Sequence, residues 1–595
     1  MRQRVTWTVG AVVLAVTVGT ATPAAAAPRQ PDPFEITMLA TTDLHGRVND
    51  WDYFKNAPYT ESKGHATGLA RVGSAVDAVR AERGEDSVFL VDNGDFLQGT
   101  PLSYYYAKQE PVTETGREHP MAAAFDAIGY DAQVVGNHEY NYGLELLKSY
   151  VDDVDHPVLG ANVVSARTGL PYHQPFTLKR MHVPGQKPVT VGILGLTTPG
   201  SAIWDRGNVE GKVEFRDMVA TAKRWVPVVD RLADVVVVLS HAGVGGTSSY
   251  DASQAPTENP SDVIARTVPG IDVMVVGHTH ADTPSQIVKN QVTGDDVLLT
   301  QPYRWGASVS QVDIGLRKLR GKWDVVSTDV TSLRTKDYPE SPKVLAAVAD
   351  EHARTVEYVN QVVATSTEEL SAATSAWEDT AILDFIQKVQ TDTVDAALEG
   401  TDRADLPVLS IAAPFSRTAI FPKGDVTIRD MAGLYIYDNT LEAVELTGAQ
   451  VRAYLEKSAS YFMQVAPTGD VDPETITNAI GSDKRPTPDY NYDVLSGLDY
   501  DLDVSKPVGS RVTKLAYADG TAVGDGDRFV VAVNNYRRSG GGGFPYVSGA
   551  PVVYNEQQEI RQLLIEWAQK NGTIDPAKFF VDNWELVRNG VPLIP

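Results

Sequence analysis

The sequence predicts a layered α/β sandwich followed by a second, smaller α/β domain, and three observations predict it. Apolar strand runs and amphipathic helices alternate from residue 34 to about 315, the pattern of helices covering sheets. At 595 residues the chain is longer than one hydrophobic core supports, roughly 250–300 residues, so two domains or more are expected. All eleven histidines lie at or before His352, so the two parts differ in chemistry as well as in position.

The first strand is the apolar run Phe34 to Ala40, which leads into Thr41-Thr42-Asp43-Leu44-His45-Gly46. The spacing of Leu69, Val72, Ala75, Val76 and Val79 predicts a helix over Gly68 to Glu82. Val88 to Val91 is the next strand and runs into Asp92-Asn93-Gly94-Asp95. Helices follow at Met121 to Ile128 and Leu144 to Val151, with Ala132 to Val135 between them running into Gly136-Asn137-His138-Glu139. Strands are predicted at Pro157 to Val163 and Val189 to Leu196, and a helix over Arg216 to Leu232 that kinks near Pro227. Val235 to Leu239 ends in Ser240-His241-Ala242-Gly243, and Asp272 to Val276 in Gly277-His278-Thr279-His280. Val297 to Thr300 and Ser308 to Ile314 close the domain, placed at 34–340. Trp51 to His65 and Gly245 to Pro260 read as surface insertions at ligand-bearing strand ends.

Ser341 to Gln361 is predicted helical, and the polar stretch Thr365 to Ser375 is taken as the hinge, giving a linker over 341–376. The second domain, 377–595, contributes helices at Thr380 to Leu398 and Thr447 to Tyr461 and a strand at Arg528 to Asn534. It offers aromatics, Arg and Asn, which suit recognition of an organic ligand.

Composition removes several classes of function. The chain has no cysteine, which excludes thiolate metal sites, cysteine nucleophiles and disulfides. A net charge of −25 argues against a nucleic-acid polymer or an anionic membrane as the main partner. Arg2 and Arg4, the apolar run Val9 to Gly19 and the small residues Ala24 to Ala27 read as an export signal over 1–27. The mature chain is then expected in the extracellular or cell-envelope space, unanchored and monomeric.

Five apolar runs end in Asp, Asn, His or Gly at their carboxyl ends, the edge where ligands gather in open α/β sheets. The candidates are Asp43, His45, Asp95, Asn137, His241, His278 and His280. Three oxygen donors and four imidazoles can hold two divalent ions about 3.5–4 Å apart, with Asp95 as the bridging carboxylate. Without thiolates, zinc, manganese and cobalt all suit the donor set. Such a pair activates a water and steadies the attacking and leaving oxygens of an in-line displacement, which phosphate esters need most. His138 follows a ligand directly and is assigned the non-ligand role of stabilising the transferring phosphoryl group or protonating the leaving oxygen. His65, His119, His156, His173, His182 and His352 lack partner spacing and are expected at the surface or in structural hydrogen bonds.

Asp43-Leu44-His45, Gly94-Asp95, Gly136-Asn137-His138-Glu139, His241 and Gly277-His278-Thr279-His280 together resemble, in order, the motifs of the calcineurin-like metallophosphoesterases. The second domain resembles the C-terminal domain of the 5′-nucleotidase family. The resemblance implies a four-layer αββα metallophosphoesterase sandwich plus a smaller α/β C-terminal nucleotide-binding domain, and coverage from about Phe34 to Trp584. Asp52-Tyr53-Phe54-Lys55, Asn137 through Gly143, Glu258-Asn259, Ala412 through Phe415, Leu434 through Thr440 and Asn534 through Arg537 look like the 2′,3′-cyclic-nucleotide 2′-phosphodiesterase/3′-nucleotidase branch. The likeness implies that Tyr437 and Tyr536 sandwich a nucleobase, with Asn439 and Asn535 beside it. Arg417 and Arg537 are candidate contacts to phosphate or ribose.

One position departs from the 5′-nucleotidase pattern. Where that family orients its catalytic histidine with an Asp three residues on, this chain has Asn141. An amide can orient an imidazole but supplies no full charge to its cation. The expected activity is therefore hydrolysis of 2′,3′-cyclic nucleotides and 3′-nucleotides. The alternatives are a 5′-nucleotidase or broad nucleotide phosphatase, a non-catalytic nucleotide- or metal-binding protein, and a sulfur-ester hydrolase.

Overall fold

The computed structural model describes residues 34–59, 64–183, 187–245, 248, 250, 253, 255–319, 322–437, 439–481, 486–556 and 558–594. The export signal read over 1–27 lies outside the described residues.

Two six-stranded sheets form the centre of the first domain. In the first, the strand order is Lys322–Arg334, Ser308–Leu319, Phe34–Thr41, Val88–Asp92, Ala132–Val134, Val158–Leu159; in the second it is Thr283–Lys289, Asp296–Gln301, Val273–Val276, Val235–His241, Val189–Thr197, Phe176–Met181. The strands that carry the site are central and parallel: Phe34–Thr41 beside Val88–Asp92, and Val235–His241 beside Val273–Val276.

These strands are apolar on both faces because both faces are covered. Ile36, Met38, Ala40, Phe89 and Val91 meet Val235, Val237, Leu239, Val273 and Val275 between the sheets. The alternate residues Leu39, Val88 and Leu90 face outward onto helices Leu69–Arg83 and Pro120–Ile128. Val236, Val238 and Met274 face helices Met218–Val229 and Ser261–Thr267. Helix, sheet, sheet, helix is the expected αββα order.

Several boundaries differ from expectation, each for a local reason. Helix Met218–Val229 runs through Pro227 without a break, because that proline sits in the last turn, where few later bonds depend on it. Pro157 to Val163 divides into Val158–Leu159 and Val163–Ser165. The first sheet gains Lys322–Arg334, which pairs with Ser308–Leu319 along its length. Its solvent-facing positions are polar, so hydrophobicity did not flag it.

The change of domain falls earlier than the expected hinge. The predicted helix over 341–361 is two helices, Pro342–Ala347 and Ala349–Val359, broken at Val348. Val344 and Val348 pack into the first domain's outer core, whereas Tyr358 and Val359 pack into the second domain's core. Thr365 to Ser375 is not a free linker: Val362–Ser366 pairs with Gly424–Thr427 and Thr573–Ile574, and Leu370–Ser371 pairs with Ile420–Phe421. Of its polar residues, Thr365 is exposed on the first strand and Thr367 to Glu369 are exposed between the strands, whereas Ser366 and Ser375 are buried and donate to the carbonyls of Glu368 and Ala372.

The second domain is built on a five-stranded sheet, in the order Val494–Ser496, Val408–Ala412, Arg528–Asn534, Leu441–Thr447, Val552–Tyr554. Helices Ala381–Leu398, Gly448–Ser458 and Ile560–Asn571 pack on its core. Contacts such as Lys108 to Glu559 (3.4 Å) and Arg561 over the Tyr104 ring (5.0 Å) join the domains.

Candidate metal centre and nucleotide cleft

The strand-end loops are stitched to one another before any side chain is considered. Asp43 N–H donates to Gly94 O (2.9 Å), His45 N–H to Asp95 O (2.8 Å) and Gly46 N–H to Phe96 O (2.9 Å). His138 N–H donates to Asp95 Oδ1 (2.8 Å) and His278 N–H to Asp43 Oδ1 (3.0 Å). Gly136 has to be glycine, since a Cβ there would lie 2.2 Å from Asp95 Oδ1. Glu139, 1% exposed, accepts from the N–H groups of Gly136, Asp95, Phe96 and Leu97 at 2.5–3.1 Å. One buried carboxylate thus clamps the Asp95 loop to the Asn137 loop.

Backbone strain marks the same residues. Ten non-glycine residues have positive φ among the described residues, and five of them are Asp43, His45, Asp95, His278 and His280. The left-handed region costs a residue with a Cβ of order 1–3 kcal/mol and persists where the surroundings over-determine it. Half of that strain is concentrated on predicted ligands, which points to function rather than loop accident.

The side chains then converge. Asp43, His45 and His280 form one group of three whose donor atoms lie within 4.8 Å of one another; His45, Asp95 and His138 form a second, and Asp95, His241 and His278 a third. Asp95 and His45 each belong to two groups, so the groups form one continuous cluster. His241 Nε2 lies 2.9 Å from Asp95 Oδ2, and His280 Nε2 lies 3.5 Å from Asp43 Oδ1. Asn137 Oδ1 is buried without a hydrogen-bond partner, the state of an amide oxygen reserved for another acceptor-seeking group.

Groups behind the cluster fix which imidazole nitrogen faces it. His45 Nδ1 sits 3.0 Å from Gln98 O and His241 Nδ1 sits 2.6 Å from Asn93 O, which leaves Nε2 inward in both. Glu258 Oε1 takes His278 Nε2 at 2.9 Å, which leaves Nδ1 inward. Trp204 stacks on the His278 ring at 5.4 Å and 27°. His280 is different: Arg304 Nη1 donates to its Nδ1 (3.1 Å).

Electrostatics favour a cation here. Burial, then the neighbouring His138, pushes His45 down to about 3. Burial does the same for His280, with His45 and Arg304 adding to it against Asp43. Their Nε2 atoms face each other at 2.9 Å: with Arg304 on His280 Nδ1 and Gln98 O on His45 Nδ1, the His280 Nε2–H donates to the His45 Nε2 lone pair. Burial also opposes charge on His241, but the adjacent Asp95 and Asp43 carboxylates outweigh it and lift the group to about 10. Two carboxylates, facing imidazoles and an orphan amide oxygen are a donor set that fits divalent metal.

His138 lies within this cluster, its Nδ1 2.6 Å from Asn141 Oδ1. The six other histidines do not join the cluster. His119 and His173 are buried in structural hydrogen bonds, to Met121 N and Tyr140 OH, rather than exposed.

Tyr437 and Tyr536 stand on the second domain, both in contact with a third tyrosine, Tyr490. The Tyr490 ring meets both edge-on, Tyr437 at 5.9 Å and Tyr536 at 6.4 Å. Burial raises the Tyr437 and Tyr536 phenols, and each also senses a first-domain charge: Arg304 at Tyr437, Glu258 at Tyr536. Arg304 and Glu258 are the side chains that contact His280 and His278, so both tyrosines lie within electrostatic reach of the cluster's surroundings.

The other expected ligand contacts are arranged differently. Arg537 is 1% exposed and its guanidinium is used up: Asp493 at 2.6 and 3.1 Å, Tyr490 O at 2.5 Å, Asn491 Oδ1 at 3.1 Å. It cannot touch phosphate without losing that ion pair; it anchors the Tyr490–Asn491 segment. Asn535 Oδ1 accepts from Thr440 N–H (3.1 Å) and Asn439 Nδ2 reaches Tyr435 OH at 3.4 Å, so both brace the turn that carries Tyr437. Arg417 pairs with Asp489 (2.9 Å), next to Tyr490. Sequence reasoning assigned no role to Glu139, Asp205, Arg304 or Tyr490; only Glu139, inside the Asn137-His138 motif, carried a signal.

Carboxylate, imidazole and amide donors at the carboxyl edge of two packed sheets define a metal-dependent phosphoesterase centre, and comparison with known proteins agrees. Residues 36–282 match the calcineurin-like phosphoesterase family model, and residues 362–549 match that of the 5′-nucleotidase C-terminal domain. The chain is 32% identical over 93% of its length, and 87% of the relative's, to the 2′,3′-cyclic-nucleotide 2′-phosphodiesterase/3′-nucleotidase of Haemophilus influenzae. It is 30% identical to the trifunctional nucleotide phosphoesterase protein YfkN of Bacillus subtilis, over 93% of this chain but 39% of that longer protein. In fold it is similar to the 5′-nucleotidase precursor of Thermus thermophilus, with a TM-score of 0.61, 22% identity and coverage of 93% and 99% of the two chains. The chain belongs to the calcineurin-like metallophosphoesterases that carry a 5′-nucleotidase C-terminal domain, a family of nucleotide phosphohydrolases.

Proposed function

We propose that this enzyme hydrolyses 2′,3′-cyclic nucleotides and 3′-nucleotides to nucleoside and phosphate, as an exported protein acting on small nucleotides. The observation that supports the reading is the convergence of Asp43, His45, Asp95, His241, His278 and His280, with His138, in one continuous cluster. The relative from Haemophilus influenzae bears this activity in its name, and Asn141 is the residue at which the chain leaves the 5′-nucleotidase pattern.

In this reading Asp43, His45, Asp95, Asn137, His241, His278 and His280 would hold two divalent ions, zinc, manganese or cobalt. When bound, the ions supply Lewis acidity and charge neutralisation at the phosphoryl oxygens. The rest is the work of the chain. Tyr437 and Tyr536 take the base between their faces, a contribution of about 1–3 kcal/mol per stacked base that tolerates different bases. Holding the base fixes the distance from ribose to cluster. His138, held through Nδ1, offers Nε2 to the departing ribose oxygen and delivers the proton it needs. Domain motion about helix Ala349–Val359, which ends in a different core from the one it starts beside, would admit substrate and release product.

The test is a side-by-side assay of adenosine 2′,3′-cyclic phosphate, 3′-AMP and 5′-AMP on metal-replete protein. The reading expects the first two to be turned over with the higher kcat/KM. A preference of about tenfold or more for 5′-AMP, some 1.4 kcal/mol, overturns it in favour of a 5′-nucleotidase.

A further inference from the structure

The departure at Asn141 has a counterpart 64 residues later. Asn141 Nδ2 donates to Asp205 Oδ1 at 2.7 Å, while Asn141 Oδ1 lies 2.6 Å from His138 Nδ1. The three side chains form one line: carboxylate, carboxamide, imidazole. Asp205 is 5% exposed, and its second oxygen, Oδ2, is buried with no hydrogen-bond partner. The backbone of the relay is held as well, since Asn208 Nδ2 donates to the carbonyls of Tyr140 (3.0 Å) and Asn141 (2.8 Å). Its neighbour Trp204 stacks on the His278 ring, so one short segment buttresses both the imidazole His138 and a metal-ligand candidate.

The direction of the relay is dictated by chemistry. An amide can turn either end toward an imidazole, and the two choices call for opposite tautomers. Ionised, as it is above about pH 7, Asp205 accepts only. If Asn141 turned its oxygen toward Asp205, two oxygens would meet in a buried site at the cost of a charge-assisted hydrogen bond. Asp205 therefore fixes the amide with its NH2 outward and its oxygen on His138. That oxygen requires Nδ1 to carry hydrogen, which leaves Nε2 facing the cluster. The carboxylate also polarises the amide, as neighbouring hydrogen bonds in a chain polarise one another. Buried Asp205 is costly: burial pushes it up to about 7, against the pull of His138 and Asn141. A structural role alone would be served as well by Asn.

We propose that Asp205 is the positioning residue for His138, acting through Asn141 to replace the carboxylate that 5′-nucleotidases place directly against their histidine. This deepens the reading of His138 as the proton donor to the leaving oxygen and rests on it. Asp205 touches neither substrate nor phosphate; it acts by holding Nδ1–H on the amide, so that the proton the imidazolium gives up is the one on Nε2.

The test uses the metal-replete full chain and two leaving groups. A 3′-nucleotide leaves as an alkoxide and needs a proton; 4-nitrophenyl phosphate leaves as a stabilised phenolate and hardly does. Asp205→Asn should lower the ratio of nucleotide kcat to nitrophenyl kcat about tenfold or more, with a smaller change in nucleotide KM, since general acid catalysis contributes about 10²–10⁴. The swapped pair Asn141→Asp with Asp205→Asn moves the charge one side chain closer and should restore the ratio to within about threefold. A ratio unchanged in Asp205→Asn, equal losses on both substrates, or a swapped pair no better than the single variant would overturn the proposal. If the nucleotide proves a poor substrate, any alkyl phosphate the enzyme does turn over supplies the same ratio, so a wrong substrate class and a wrong role for Asp205 give different results.

Discussion

Replacing Glu139 with Gln tests whether the carboxylate beneath the cluster holds the site together. Oε2 accepts from Gly136 and Asp95 at 2.5 and 2.9 Å, and Oε1 from Phe96 and Leu97 at 2.7 and 3.1 Å. In Glu139→Gln one of those oxygens becomes an NH2 group, so whichever way the amide turns, two buried N–H donors lose their acceptor and face hydrogens. Hydrogen bonds to a charged group contribute about 1.5–3 kcal/mol each. Two of them give roughly 3–6 kcal/mol, and relaxation of the loops should leave about 3 kcal/mol of lost stability. Because the donors belong to the Asp95 and Asn137 loops, metal affinity should fall about 10–100-fold as well. Urea unfolding gives the first quantity and competition with a chromophoric chelator the second. An unaltered unfolding midpoint would refute the hydrogen-bond argument, and lost stability with intact metal affinity would refute the coupling between clamp and site.

Three further outcomes are expected. Tyr437→Ala and Tyr536→Ala should each raise the KM for nucleotides roughly 5–150-fold, the equivalent of 1–3 kcal/mol, while 4-nitrophenyl phosphate kinetics change little; equal effects on both substrates would place the tyrosines outside base recognition. Arg537→Ala should cost about 3–5 kcal/mol of stability, since it strands buried Asp493; a well-folded variant with only a raised KM would restore Arg537 as a ligand contact. Asp384 is pushed up to about 8 by burial and by nearby Asp379, above its unfolded value of about 3.9. The stability its protonated form contributes is present below about pH 4 and lost as pH rises through about 8. Asp384→Asn should therefore flatten the fall in stability between pH 5 and 8, and a pH profile parallel to that of the unsubstituted protein would contradict the assignment.

The side-chain cluster was legible because each candidate ligand sits at the end of an apolar run, and a parallel strand delivers its last residues to a known edge. Asp43, Asp95, Asn137, His241 and His278 could be placed from that rule alone. What surrounds them could not. Asp205 and Glu258 act from turns far from the ligands in sequence, and no local pattern ties a carboxylate to the imidazole it will meet. Arg537 was misjudged for the same reason: an arginine in a motif looks available until Asp493 is seen against it. Tyr490 lies in a loop of prolines and aspartates, where one more aromatic has no periodicity to set it apart. The domain boundary was placed late because short edge strands such as Leu370–Ser371 are too brief and too polar to signal pairing.

The account stands on one pocket holding a pair of divalent cations, and anomalous diffraction at the metal edges from a crystal soaked in phosphate measures that directly. Two peaks about 3.5–4 Å apart, with Asp95 between them and phosphate across both, are the predicted result. A single peak, or peaks away from Asp95, would contradict it.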